Sequence, residues 1–312
     1  MNEQLRPLTI IYNRNSGFHA ARRDELYEEI LTQLSTHGFE IQVLELHSNS
    51  DFDRLMQDVL DRHLNGPDVG VVVAAGGDGT LNAVGAKLLH TDIPLGLLPL
   101  GTFNYVARAL NIPLDLLEAT KVIISGRPQA IHVAKLNNQI YLNNASLGLY
   151  PLFIKRREAY NQRFGRFTFN AYASALDVMI RDRKALKLTL EVDGKRYPLN
   201  TPLVFFGNNQ LQLQEMRLRV ANCAAAGRVA GVAVANTDKR TLFKLLFQLI
   251  QGKLEQASQV YSFCADQVQV HAAKKNIKVA IDGEIVELQT PLKITVEKNA
   301  LNIMVPYAAP SL

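Results

Sequence analysis

Val71-Val72-Val73-Ala74-Ala75-Gly76-Gly77-Asp78-Gly79-Thr80-Leu81-Asn82 is the stretch whose reading decides the fold. Its apolar run has the length and Val content of a strand buried on both faces, as in the middle of a parallel sheet. A Gly-rich turn follows at once, and Thr80 can cap a helix through Leu81–Leu89. Strand, turn and helix N-terminus together make an anion site. Backbone N–H groups point outward, the helix dipole is positive, and missing side chains let a phosphate approach. Leu95–Leu100, the turn at Gly101-Thr102 and a helix through Leu110 repeat the plan. Two such turns at the carboxyl ends of two strands are expected to face one crevice. The pattern is not a P-loop, because no Gly-Lys-Ser/Thr follows. It is not the dinucleotide fingerprint, because Asn82 stands where a third Gly is expected. The plainer alternative is a strand–helix turn with glycines for close packing.

Working toward the N-terminus, Leu8–Tyr12 reads as a first strand, ended by the polar loop Asn13-Arg14-Asn15-Ser16-Gly17. Leu26, Ile30, Leu31 and Leu34 mark a helix that closes near Gly38. Ile41–Leu46 is a second strand and Phe52–Leu64 a second helix. The β-α-β-α-β-α order predicts a right-handed parallel α/β domain. It places Asn13 and Ser16 at a carboxyl strand end, on the rim of the two turns. By itself Asn13–Gly17 reads equally well as simple turn chemistry.

Toward the C-terminus the pattern changes after a helix at Leu116–Ser125, where Gly126-Arg127-Pro128 is a breaker. Strand-like segments follow at 130–135, 140–144, 185–192, 201–208, 228–235, 268–271, 277–281, 292–297 and 301–305. The fold class is therefore α/β: a parallel α/β domain over 1–126, then a mostly antiparallel domain over 127–304. Asp193-Gly194 and Asp282-Gly283 read as hairpin turns.

Net charge is +5, a mild excess that suits a nucleotide or an anionic membrane surface. No basic stripe concentrates it, so nucleic acid is not an expected partner. Cys223 and Cys264 are far apart and form no C-x-x-C. They read as two small buried hydrophobes in a reducing compartment. Met1–Pro7 has no apolar signal region, and no apolar run approaches the ~20 residues of a membrane span. A soluble cytoplasmic protein is expected. Lys155-Arg156-Arg157-Glu158 and Arg163-Phe164-Gly165-Arg166-Phe167 leave two readings open, a solvated helix face or peripheral contact with anionic headgroups. Leu242–Leu254 reads as core packing or as part of an acyl-chain pocket.

Asn13–Gly17, Gly76–Thr80 and Leu98–Asn104, in this order, resemble the diacylglycerol kinase catalytic family. That family includes bacterial lipid kinase-like proteins and is related to sphingosine and ceramide kinases. A GGDGT turn alone is shared with NAD kinases and phosphofructokinases, but NAD kinases do not usually show the first and third motifs in this form. The resemblance covers most of the chain, with Asn143-Asn144-Ala145-Ser146-Leu147-Gly148 similar to a family segment at the entry to the second domain. It implies a β-sandwich second half whose last residues, 305–312, return to the first domain. It implies ATP with Mg²⁺ as donor, and a diacylglycerol-like or long-chain lipid as acceptor.

The same resemblance assigns site residues. Backbone N–H groups of Gly76, Gly77, Asp78, Gly79, Thr80 and Leu81, with Asn82 and the Gly101-Thr102 turn, would hold phosphates. Asn13, Ser16, Gly17, Thr80 and Asn104 would add hydrogen bonds. Asp282-Gly283-Glu284 would bring an acid from the second domain across a cleft, with Asp282 placed ahead of Glu284 as the base. Asp78 is left between placing Mg²⁺ and acting on the acceptor hydroxyl. Departures from the family pattern are Tyr105 and Ala83, where acids are common, and His47, where relatives offer a Thr. Cys223–Ala230 lacks carboxylates, so no structural metal site is expected there. Competing readings are a family member that binds nucleotide or lipid without turnover, and an NAD kinase-type enzyme for a soluble substrate.

Overall fold

A computed structural model describes residues 5–12, 23–46, 51–66, 68–149, 151–152, 185–235 and 238–307. The chain divides into two compact units, Met1–Ile131 with Lys298–Leu312, and His132–Glu297. Elements over the first part of the chain are β1 (Arg6–Tyr12), α1 (Arg23–Thr36), β2 (Phe39–Glu45), α2 (Phe52–Leu64) and β3 (Val71–Gly76). Then come α3 (Asp78–Lys87), β4 (Leu95–Pro99), α4 (Tyr105–Ala109) and α5 (Leu116–Ser125). They are followed by β5 (Arg127–Leu136), β6 (Gln139–Tyr141), β7 (Asn144–Gly148), β8 (Leu186–Val192), β9 (Lys195–Thr201) and β10 (Leu203–Gly207). The remainder is α6 (Gln210–Glu215), α7 (Ala221–Ala225), β11 (Val229–Val234), α8 (Lys239–Ile250), β12 (Val260–Ala265), β13 (Gln267–Ala272), β14 (Asn276–Ile281), β15 (Glu284–Gln289) and β16 (Leu292–Val305).

In the first unit the strand order β2-β1-β3-β4 is parallel throughout, with Ile10 opposite Val73 and Val73 opposite Gly96. Every residue of β3 is buried, as its unbroken apolar run requires. Ile303 of β16 pairs with Leu95 as a further parallel neighbour. Because β2 lies on one side of β1 and β3 on the other, the chain reverses direction between β1 and β3. Ligands of open α/β sheets bind outside the carboxyl ends at such a point. The GGDGT turn leaves β3 there. Helices α2 and α5 begin on carboxylate caps: Asp51 accepts from the Arg54 N–H, and Asp115 from those of Leu117 and Glu118.

The second unit is a sandwich of two antiparallel sheets. One contains β13 between β16 and β8, with β9 beyond β8. The other runs β12-β11-β10-β7-β14-β15. Leu188, Leu190, Val268, Val270 and Ile294 from the first meet Ala145, Leu147, Val204, Phe206 and Val279 from the second in one core. On the far side of the six-stranded sheet, Leu213 of α6, Ala224 of α7 and Leu245 of α8 cover Phe205, Ala230 and Val232. Of the two readings of Leu242–Leu254, Leu242, Leu245, Leu249 and Leu254 take the core role, while Phe247 is exposed.

Three expectations are corrected. The segments 292–297 and 301–305 form one strand, β16, which continues through Asn299 at φ 53. The polar Lys298-Asn299 step interrupts the apolar pattern, but the chain there passes through one left-handed residue without a break in the strand. Strands β9 and β12 and helices α6 and α7 lie outside the segments read from the sequence, although the Asp193-Gly194 hairpin implied a partner for β8. Finally, Cys223 of α7 and Cys264 of β12 are not separate buried hydrophobes. They are bonded to each other as a disulfide, with Cα atoms 5.8 Å apart. Among the described residues no helix is long and apolar enough to cross a membrane.

Candidate active site

The first-unit site is built from two glycine turns that touch. Helix α3 starts at Asp78 with Gly77 as its N-cap, two residues earlier than a Thr80 cap would place it. Asp78, Gly79 and Thr80 thus form the first helical turn. A glycine cap offers no side chain to the first-turn amides, which point out along the axis where the dipole is positive. The Leu81 N–H donates to the Gly77 carbonyl (3.1 Å) and the side chain is buried, so Leu81 is a packing residue rather than a phosphate donor. Thr80 is also buried, its side chain packed beneath Gly76, where a Cβ would lie 2.6 Å from it.

The second turn leaves β4 and ends at Asn104, which adopts φ 47 and caps α4. Its amide closes the turn on itself: Oδ1 accepts from the Gly101 N–H (3.0 Å) and Nδ2 donates to the Gly101 carbonyl (2.9 Å). Asn is one of the few residues that tolerate this left-handed conformation. The Leu100 N–H donates to the Gly76 carbonyl (3.0 Å), joining the two turns. A Cβ on Gly101 would lie 2.7 Å from the Gly77 Cα, so position 101 demands glycine for the close approach, and one on Gly77 would sit tightly, 3.3 Å from the Gly101 Cα. The space left between them, lined by Gly76, Gly77, Asp78, Asn104 and Ala107, is about 10 Å³ and has room for about one water. A phosphate would therefore rest on the rim. Beside it Phe103 stacks on Tyr105 (centroids 5.7 Å apart), and the Arg108 guanidinium lies over the Tyr105 ring at 5.7 Å. Tyr105, a departure in sequence, is thus part of an aromatic platform next to the turn. Asn82 sits in the next turn of α3. Thr102 is exposed on the Gly101 turn. Asn13, Ser16, Gly17, His47 and the basic segments at 155–158 and 163–167 lie outside the described residues.

In the second unit, Asp282 and Gly283 have φ 44 and 92 between β14 and β15, the two left-handed residues of a tight hairpin. The Asp282 carboxylate accepts three backbone N–H bonds, from Leu142 (2.7 Å), Asn143 (2.9 Å) and Asn144 (2.8 Å). Asp193, in the other Asp-Gly turn, does the same for Asp266 and Gln267 (both 3.0 Å). Glu284 begins β15 and is exposed. Tyr141, fully buried, has its hydroxyl pKa pushed far up by burial and then by the charge of Asp282, so it stays protonated.

A buried amide network surrounds this anchor. Asn209 Nδ2 donates to Asn143 Oδ1 (2.9 Å), and Asn144 Nδ2 donates to Gln212 Oε1 (3.0 Å). Asn209 also caps α6 by accepting from the Gln212 N–H (3.0 Å), and the Asn143 carbonyl accepts from the N–H groups of Asn208 and Asn209. Asn144 Oδ1 and Ser146 Oγ are buried with no hydrogen-bond partner among the described residues, so the network has capacity for one more polar group. Sequence reading missed Asn208, Asn209 and Gln212. The repeated Asn-Asn doublet at 143–144 and 208–209 was the available sign. Among the described residues no three His, Cys, Asp or Glu side chains converge as a metal cage.

Residues 7–136 match the family model described as the diacylglycerol kinase catalytic domain. Residues 155–305 match the one described as the YegS C-terminal NAD kinase beta sandwich-like domain. Proteins of Staphylococcus aureus strains JH9 and Newman, each named diacylglycerol kinase, are 31% identical over 205 residues, 64% of this chain and 61% of theirs. The match therefore spans under two thirds of those relatives' length. A solved diacylglycerol kinase structure from Bacillus anthracis strain Sterne superimposes with a TM-score of 0.70 at 19% identity, covering 96% of both chains. A second solved chain from that organism gives 0.73 at 20%, covering 99% of this chain and 100% of that one. These two likenesses establish the fold.

Proposed function

The chain belongs to the diacylglycerol kinase catalytic family, and on that premise we propose that it is an ATP-dependent lipid kinase, transferring the γ-phosphate to a hydroxyl of a diacylglycerol-like or long-chain acceptor. The observation that carries this reading is the contact of the Gly77 and Gly101 turns at the head of α3, on the carboxyl edge of a parallel sheet. Such a rim has backbone donors, a positive dipole and no Cβ in the way, which is the requirement of a phosphate chain. The Phe103–Tyr105 pair supports a flat ligand group beside it. Mg²⁺ carried with the nucleotide would neutralise charge on the phosphate oxygens during transfer. Asp78, on the first turn of α3, is the carboxylate we assign to contact that ion.

For the proton of the acceptor hydroxyl we assign Glu284 as the base, and Asp282 as the residue that fixes its turn. Support comes from the accounting of lone pairs. Both Asp282 oxygens already accept backbone N–H bonds, and taking a proton would break a network that holds β7, whereas Glu284 is exposed. Asp193 shows that an Asp-Gly turn in this unit uses its carboxylate structurally.

The test is a transfer assay with γ-labelled ATP, Mg²⁺ and diacylglycerol in detergent micelles. Label is expected in the organic phase with wild type, and Glu284→Gln should cut the rate by ~10²–10⁴-fold while ATP still binds. ATP binding without any labelled lipid from wild type would overturn the kinase reading. Full activity in Glu284→Gln would overturn only the choice of base.

A further inference from the structure

We propose that Cys223 and Cys264 are a reversible thiol–disulfide site, open to an external dithiol, that tethers α7 to the edge of the six-stranded sheet. These are the only two cysteines among 312 residues, and they stand 41 positions apart. The fold nonetheless brings them together on two elements, α7 and β12. Their Cα separation of 5.8 Å is what a disulfide needs without backbone movement. Strand β12 is an edge strand, with β11 as its neighbour in the sheet. Helix α7 has only five residues, too few to be stable by itself, and it is held by packing of Ala221 and Ala224. A covalent tether therefore joins a very short helix to an edge strand.

Access separates this pair from an inert structural bridge. Both cysteines are half-buried, and both line an open groove of about 360 Å³ with Arg219, Glu255 and Ser262. The groove wall is fixed, because Glu255 accepts from the Arg219 N–H (3.0 Å) and from the Ser262 hydroxyl (2.9 Å). The Arg219 side chain stands in solvent, 3.6 Å from Glu255, and puts positive charge at the rim where a thiolate would enter. In the exchange, a dithiol's thiolate attacks one cysteine sulfur. A mixed disulfide forms, the Cys223–Cys264 bond breaks, and the departing sulfur leaves as a thiolate that takes a proton. The reductant's second thiol then attacks the reductant's own sulfur in the mixed disulfide and the protein cysteine leaves as a thiolate that takes a proton, so the products are two cysteine thiols and an oxidised, cyclic reductant. Two electrons pass to the protein. Glutathione disulfide supplies the oxidant for the reverse direction.

Thiol counting on the whole native chain tests this, by equilibration, acid quench, unfolding and alkylation read by mass. After glutathione disulfide no alkylated cysteine is expected. After millimolar dithiothreitol, without denaturant, two are expected, and reoxidation should restore zero. Reduction should lower Tm by roughly 5–10 °C and speed amide exchange in 221–225 and 260–265. Cys223→Ser and Cys264→Ser should match reduced wild type with or without dithiothreitol. Two free thiols, or glutathione adducts, persisting after glutathione disulfide would overturn the pairing. A bond that dithiothreitol reduces only after unfolding would overturn the open site. Neither count needs the variants to fold, and neither depends on kinase activity.

Discussion

Asp282 and Asp193 carry the lesson at the residue scale. Both are the first residue of an Asp-Gly turn, both have positive φ (44 and 47), and both spend their carboxylates on backbone N–H groups of another segment. Asp282→Asn replaces an acceptor oxygen with a donor facing other donors. It should lower unfolding free energy by about 1–3 kcal/mol in urea titration, the cost of unsatisfied buried groups. Glu284→Gln, on an exposed side chain, should stay within about 0.5 kcal/mol of wild type. Asp193→Asn should lose stability with no specific loss of turnover. A Cβ at Gly101 would meet backbone at Gly77 and the Asn104 amide, both at 2.7 Å, and neither can swing aside. Gly101→Ala should therefore cost about 1–3 kcal/mol of stability and weaken ATP binding measured by calorimetry. Wild-type ATP affinity in that variant would sink the phosphate-rim reading.

At the scale of elements, α2 shows how one polar contact fixes a helix on the parallel sheet. His63, fully buried in its last turn, reaches the Val69 carbonyl with Nδ1 (2.7 Å) and the Thr9 hydroxyl with Nε2 (2.9 Å). A carbonyl can only accept, so Nδ1 carries the proton and Nε2 accepts from Thr9. Burial holds the His63 pKa below its ordinary value, outweighing the Val69 bond that raises it. The unfolded chain thus binds a proton near pH 6.5 that the folded chain refuses. Stability is complete above pH 6.5 and falls as pH drops from there toward the folded pKa. Thermal melts between pH 7.5 and 5 should show a declining Tm, and His63→Gln should reduce the slope while lowering the pH 7.5 value. Helix α3 makes a contrasting case. Gly77 rather than Thr80 caps it, and Thr80, inside the first turn, packs against Gly76.

At the scale of the whole molecule, the chain returns to its first unit at the end. Leu301, Ile303, Met304 and Val305 are buried, and Ile303 pairs with Leu95 of β4. Leu301 packs over Gly85 of α3, where a Cβ would come within 3.1 Å of it. Residues 300–305 are therefore part of the first unit's core. A fragment of residues 1–131 should show no cooperative melt by circular dichroism, and adding a peptide of residues 298–307 is the expected rescue. Ile303→Ala in the full chain should cost about 2–5 kcal/mol, the usual range for a buried Ile truncated to Ala. An unchanged melt in that variant would contradict the role given to the returning strand.

What the sequence determined by itself was whatever rests on short-range pattern. The buried run before Gly76, the helical spacing of α1 and α2, the Asp-Gly turns and the shift to strands after Gly126 are all local, and each lies where it was read. Strand β9 escaped because Lys195-Arg196-Tyr197-Pro198-Leu199-Asn200-Thr201 sits at a sheet edge, where hydrogen bonds form the strand and no apolar alternation is needed. Tertiary structure alone decided the contacts between residues distant in the chain. It put Gly101 against Gly77, spent the Asp282 carboxylate on Leu142–Asn144, joined the two Asn doublets and bonded Cys223 to Cys264. Such pairings follow from sheet register and layer packing, which depend on the whole core at once, and no window of sequence contains them.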